Sequence, residues 1–167
     1  MPEFHIIENV FTENERKDFL EKSKPFIVDS RQFSDIDEIA EGFDWFRLTQ
    51  ASMNLIPSLR VYHEHILKLV KKNIGLDLKV VGSWVNLTDG RCKKIKWHKH
   101  DDIDYVIVYY IQIFPFFSNG TLVKGSGLVK AKQNSLVLFP GYVDHSTPRS
   151  PLRFERYTWA LNLNIRT

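Results

Sequence analysis

Apolar positions recur with two different spacings along this chain, and the change falls near residue 76. Before it the spacing is helical. Phe4 to Val10 reads as a short opening strand. Thr12-Glu13-Asn14-Glu15 then forms a capping box, with Thr12 as N-cap and the Glu15 side chain reaching back. Phe19, Leu20 and Phe26 give the following helix an apolar side, and Pro25 ends it. Residues 29 to 45 are acidic and weakly patterned, and read as a loop or a short helix. A second helix is predicted from Pro57-Ser58 to Asn73. Leu59, Tyr62, Ile66, Leu69 and Val70 lie near helical spacing, and Gly75 stops it. His63 and His65 fall on this helix and read as surface or boundary residues, since no carboxylate stands near them at ligand spacing.

The second half is built differently. Leu78 to Leu87, Tyr105 to Phe114, Thr121 to Val129, Ser135 to Phe139 and Tyr157 to Ile165 all read as strands, rich in Val, Ile, Tyr and Phe. Asp89-Gly90, Ser118-Asn119-Gly120 and Pro140-Gly141 supply turns between them. Many short strands without intervening helices point to a sandwich or barrel. No internal repeat or low-complexity tract is present. The expectation is one α+β, mainly β domain over residues 1–167. Residues 1–76 form its helical part, and residues 77–167 a double-stranded β-helix (jelly-roll, cupin-like) core with the helices packed on one sheet.

Composition narrows this only a little. The chain has 167 residues, 43% hydrophobic and 26% charged, as in ordinary globular proteins. The net charge of +3 permits an anionic partner without calling for one, and nucleic acid is not indicated. Lys93, Lys94, Lys96 and Lys99 form the densest basic stretch, read as a solvated loop. The single cysteine, Cys92, excludes an internal disulfide and suits a reducing compartment. The N-terminus is not a signal peptide, and no apolar run approaches the roughly 20 residues of a membrane span. A cytoplasmic location with no membrane partner is therefore expected.

The chemistry sits in two segments. One is Trp97-His98-Lys99-His100-Asp101-Asp102; the other, about 45 residues later, is His145 followed by Arg156-Tyr157-Thr158. His98, His100, Asp102 and Asp104 share one parity on an extended segment and would point to the same side, while Asp101 would not. The segment runs into an apolar strand, which would put these residues at a barrel mouth. Val137-Leu138-Phe139-Pro140-Gly141 likewise leads from a buried strand through a turn to His145. Two distant His-bearing strand ends are what a β-helix needs to converge three ligands. Two sets are open, both including His145: His100 with Asp102, the two-His-one-carboxylate arrangement of non-haem Fe(II) sites, or His98 with His100. Chemistry favours Asp102, because a carboxylate makes the site harder.

Arg156 carries a planar fork that can grip a carboxylate through two parallel bonds, which fits the distal carboxylate of 2-oxoglutarate. Thr158 would face the same way, and Tyr110 could add a phenol. Arg149 and Arg153 are rivals, but they lie around Ser150-Pro151 and read as solvated loop residues.

In their order, these residues resemble the 2-oxoglutarate and Fe(II)-dependent oxygenases, in particular a small phage and bacterial branch related to prolyl hydroxylases. The resemblance covers roughly residues 80 to 165. It rests on Trp84-Val85-Asn86, His98-Lys99-His100, Tyr109-Tyr110, Leu138-Phe139-Pro140 with His145-Ser146, and the strand from Arg156 to Asn162. The chain departs from that branch at Asp101, where a Pro is usual, and at Ile107-Val108, where a Ser-Gly is usual. The branch pattern favours His98 and His100 as ligands; the wider superfamily pattern favours His-x-Asp. The resemblance implies a hydroxylase using Fe(II), 2-oxoglutarate and O2, with Asn86 joining Arg156, Thr158 and Tyr110 around the co-substrate. The substrate class it suggests is a protein or peptide side chain or a small molecule. Two rivals stand beside it: a cupin-like metalloenzyme without 2-oxoglutarate, in which Asp104 would replace the usual Glu, and a non-enzymatic β-sandwich interaction domain.

Overall fold

The computed structural model describes residues 2–29, 46–47, 57–88, 97–115, 119–148 and 154–167. A short strand β1 (His5–Glu8) leads to helix α1 (Glu13–Ser23), a 3-10 turn (Lys24–Phe26), β2 (Val28–Asp29), β3 (Phe46–Arg47) and helix α2 (Pro57–Ile74). The strands β4 (Leu78–Thr88), β5 (Tyr105–Gln112), β6 (Gly120–Val123), β7 (Gly127–Lys130), β8 (Ser135–Pro140), β9 (His145–Ser146) and β10 (Arg156–Ile165) follow.

Local signals account for most of these boundaries. Thr12 caps α1 through the expected box: Glu15 N donates to Thr12 Oγ1 at 3.3 Å, and Thr12 N donates to Glu15 Oε2 at 2.8 Å. Pro25 confines the chain beyond Ser23 to a single 3-10 turn. The stretch expected as one strand from Thr121 to Val129 is instead a hairpin. Gly125 and Gly127 adopt φ of +82° and +80°, which frees the chain to reverse, and Ser126 N donates to Val123 O at 3.1 Å. Several expected features lie outside the described residues: most of the acidic stretch, Asp89-Gly90, Cys92, Lys93, Lys94, Lys96, Arg149 and Arg153.

Seven strands form an antiparallel sheet in the order β1-β8-β5-β10-β4-β3-β2, and three form a smaller one, β7-β6-β9. The large sheet has two unlike faces. On one, Val85, Ile107, Tyr109, Leu136, Leu138, Trp159, Leu161 and Leu163 pack against Phe19 and Leu20 of α1 and Leu59, Tyr62, Ile66 and Val70 of α2. On the other, Val106, Tyr110, Val137 and Phe139 cluster with Val123 of the small sheet and Val143. β10 shows the division in its sequence. Tyr157, Trp159, Leu161 and Leu163 join the helix-side core, while Arg156, Thr158, Ala160 and Asn162 alternate with them toward the small sheet. All eight are buried. The second helix also buries more than its pattern suggested. His63, expected near the surface, is enclosed, with Nε2 2.7 Å from Ser83 Oγ and its ring 5.0 Å from that of Trp159.

Candidate metal centre

The three histidines meet through strand pairing. His98 and His145 face each other across an antiparallel bridge that exchanges both backbone bonds: His98 N donates to His145 O at 3.1 Å, and His145 N to His98 O at 2.9 Å. Directly opposed residues project to the same side, and His100, two residues beyond His98, follows them. The ring centroids lie 4.3 Å apart for His98 and His145, 5.3 Å for His98 and His100, and 5.4 Å for His100 and His145. One nitrogen from each ring lies within 4.8 Å of the other two.

Gly141 holds this segment against the end of β8. His100 N donates to Gly141 O at 2.9 Å, and Gly141 N donates to Asp104 O at 2.9 Å. A Cβ at Gly141 would lie 1.9 Å from Ile103 O and 2.8 Å from His100 O, so any side chain there would push the His100 backbone away. In the sequence Gly141 read only as part of a turn; its packing role depends on contacts that sequence spacing does not reveal.

Asp102, the carboxylate favoured on hardness, is exposed and outside this cluster. The physical reason is a turn. Ile103 N bonds back to His100 O at 3.2 Å, so the alternation that aligns His98 with His100 ends at His100. Asp104 is engaged elsewhere: its Oδ2 accepts from Ile165 N at 2.8 Å.

The environment keeps two of the imidazoles neutral. Burial, with His98 as a like-charged neighbour, pushes His145 down to about 3 and His100 down to about 4. His145 Nδ1 lies 2.9 Å from Val143 O, and a carbonyl can only accept. Nδ1 therefore carries the proton, and the Nε2 lone pair is free for a metal. Three imidazoles from two chain segments are a donor set suited to Fe, Zn, Ni or Cu.

Arg156 is 4% exposed and lies at the opposite end of the β10 site face from Asn162. Its Nη2 donates to Gly120 O at 3.0 Å, and its guanidinium carbon stands 5.5 Å from the centre of the Tyr110 ring. The Tyr110 hydroxyl lies 2.6 Å from Thr121 Oγ1, and burial raises its pKa. Thr158 pairs with Asn86 on one side and with Tyr110 on the other, so the three share one row across β4, β10 and β5. Asn86 Oδ1 is buried with no hydrogen-bond partner. Thr121 was not singled out from sequence, since only the packing of one sheet on the other brings it to Tyr110.

No family model matches the sequence, and no curated protein matches it. Solved structures do share its fold. HygX from Streptomyces hygroscopicus, with nickel, 2-oxoglutarate and hygromycin B bound, superposes with a TM-score of 0.69 at 14% identity over 97% of this chain and 82% of that one. A prolyl hydroxylase from Trichoplax adhaerens, in complex with a hypoxia inducible factor peptide, gives 0.67 at 14% identity, covering 96% and 82%. An oxidoreductase of the 2OG-Fe(II) oxygenase family from Burkholderia pseudomallei gives 0.69 at 10% identity, covering 96% and 85%. The fold is thus the jelly roll of these oxygenases.

Proposed function

We propose that this protein is an Fe(II)- and 2-oxoglutarate-dependent dioxygenase that hydroxylates a protein or peptide side chain or a small molecule. The observation that carries the reading is one strand face with a three-histidine cluster near one end and a buried arginine at the other. Structures of the same fold hold nickel and 2-oxoglutarate, which supports the choice of ligands. His98, His100 and His145 would bind the metal through three positions and leave the remaining ones open. Because an imidazole that binds a metal through its lone pair carries no charge, the centre would keep its full positive charge and attract the anionic end of a 2-oxo acid.

Arg156 would hold the distal carboxylate, with Tyr110 and Thr158 as hydroxyl partners and Asn86 turned to present its amide group. When bound, Fe(II), 2-oxoglutarate and O2 supply the oxidation of a substrate C–H bond, with succinate and CO2 as co-products. The chain's own part is to fix the ligands, neutralise and orient the co-substrate, and enclose both.

The cupin-like alternative leaves Arg156 without a role, and its replacement acid, Asp104, is committed to the Ile165 backbone. No helix among the described residues is long and apolar enough to cross a membrane. The test is an anaerobic titration with Fe(II) and 2-oxoglutarate, followed by visible charge-transfer absorption. Wild type should show the band, and Arg156→Ala should need about 10- to 100-fold more 2-oxoglutarate to reach it. Iron binding without the band would favour the cupin-like enzyme; no iron binding would favour an interaction domain.

A further inference from the structure

The site face of β10 continues past the metal cluster, and its far end has no part in holding the co-substrate. Six residue steps of strand separate Arg156 from Asn162, roughly 20 Å. The histidines lie over the far half. The His100 ring is 6.4 Å from Trp84, which pairs with Ala160, and the His145 ring is 4.9 Å from Phe139, whose row runs through Val106 to Asn162. Asn162 therefore lies across the cluster from Arg156.

Three features point to a ligand at this end. Asn162 is 7% exposed, and its Oδ1 is buried with no hydrogen-bond partner. A buried acceptor left in that state is costly and calls for a donor from outside the chain. Its neighbour across β4 is Gly82, which brings no side chain, and across β5 it is Val106, which brings no polar group. Trp84, one row away on the same face, is only half-buried and offers an aromatic plane beside His100.

We propose that Asn162, Trp84 and Gly82 form the subsite for the primary substrate, and that this subsite takes a planar amide N–H. The N–H donates to Asn162 Oδ1, the flat amide lies against the Trp84 indole, and Gly82 leaves room for it. A carbon bonded to that amide is then carried to the histidine cluster. This assignment rests on the oxygenase reading of the same site and narrows its substrate class.

The test uses two small probes, N-methylacetamide, which has the N–H, and N,N-dimethylacetamide, which lacks it. Each is titrated into protein holding Zn(II) and 2-oxoglutarate, and into metal-free protein, while the Trp84 and Asn162 side-chain signals are followed by NMR. N-methylacetamide should bind about 10-fold more tightly. Asn162→Leu should erase that preference and leave 2-oxoglutarate affinity within about twofold, whereas Asn162→Asp, which keeps an acceptor, should retain the preference. Equal binding of the two probes to wild type would overturn the proposal. So would an Asn162→Leu variant that loses 2-oxoglutarate by the same factor, since that places Asn162 in the co-substrate site. Wild type that selects N-methylacetamide but does not bind 2-oxoglutarate would sink the oxygenase reading and leave the amide subsite standing.

Discussion

The two faces of the seven-stranded sheet are both buried, yet they are built on opposite terms. The helix side carries large apolar groups: the Trp159 ring lies 4.6 Å from Phe19, and Leu161 and Leu163 are fully enclosed. The side toward the small sheet is apolar beneath Phe139 and Val137 but buries Arg156, Thr158 and Asn162 along β10 and the Oδ1 of Asn86 on β4. Burying polar groups costs stability unless they are satisfied, and some of these are not. One face thus supplies stability that offsets the cost of the polar atoms buried on the other. A single strand belongs to both, because alternate side chains point to opposite sides.

Mutations should separate the two faces. Trp159→Ala empties the helix-side core and should cost about 3–5 kcal/mol, read as a shift of the denaturant midpoint. Equal loss from Thr158→Ala would break the distinction. On the other face, His145→Ala should lower metal affinity by more than about 100-fold in a competition titration, with a much smaller change in thermal unfolding. A collapse of folding instead would make His145 a core residue rather than a ligand.

The smallest effect concerns pH on the helix side. Burial pushes His63 down to about 4, below its ordinary value of 6.5. The unfolded chain takes up this proton as pH falls through 6.5, and the folded chain does not until about 4. The stability present above pH 6.5 is therefore lost progressively between those values, on the order of 2–3 kcal/mol. Comparing wild type with His63→Asn in denaturant series from pH 7 to 4 isolates it. Parallel curves would mean that His63 is protonated without penalty.

Much of this architecture is legible in the residues. The Thr12–Glu15 box, Pro25, and the change from helical to strand spacing depend on neighbours along the chain, so local chemistry decides them. The hairpin at Gly125 and Gly127 was not read, because β-rich composition on both sides masked a turn that depends on two backbone angles.

Around the site, residue types on the chain suggested a metal and an anion partner; the fold brings His98, His100 and His145 together and buries Arg156. Sequence alone left Asp102 and His98 both open, with ligand hardness favouring Asp102. Only tertiary structure separates them, because register across strands is a long-range property. The His98–His145 bridge sets one histidine opposite another, and the bond from Ile103 to His100 turns the chain before Asp102 can follow. Likewise, no local rule shows that Asn162 shares a row with Val106 and Phe139 near His145, or that Gly141 must lack a side chain. Both follow from backbone segments far apart in sequence pressing within bonding distance.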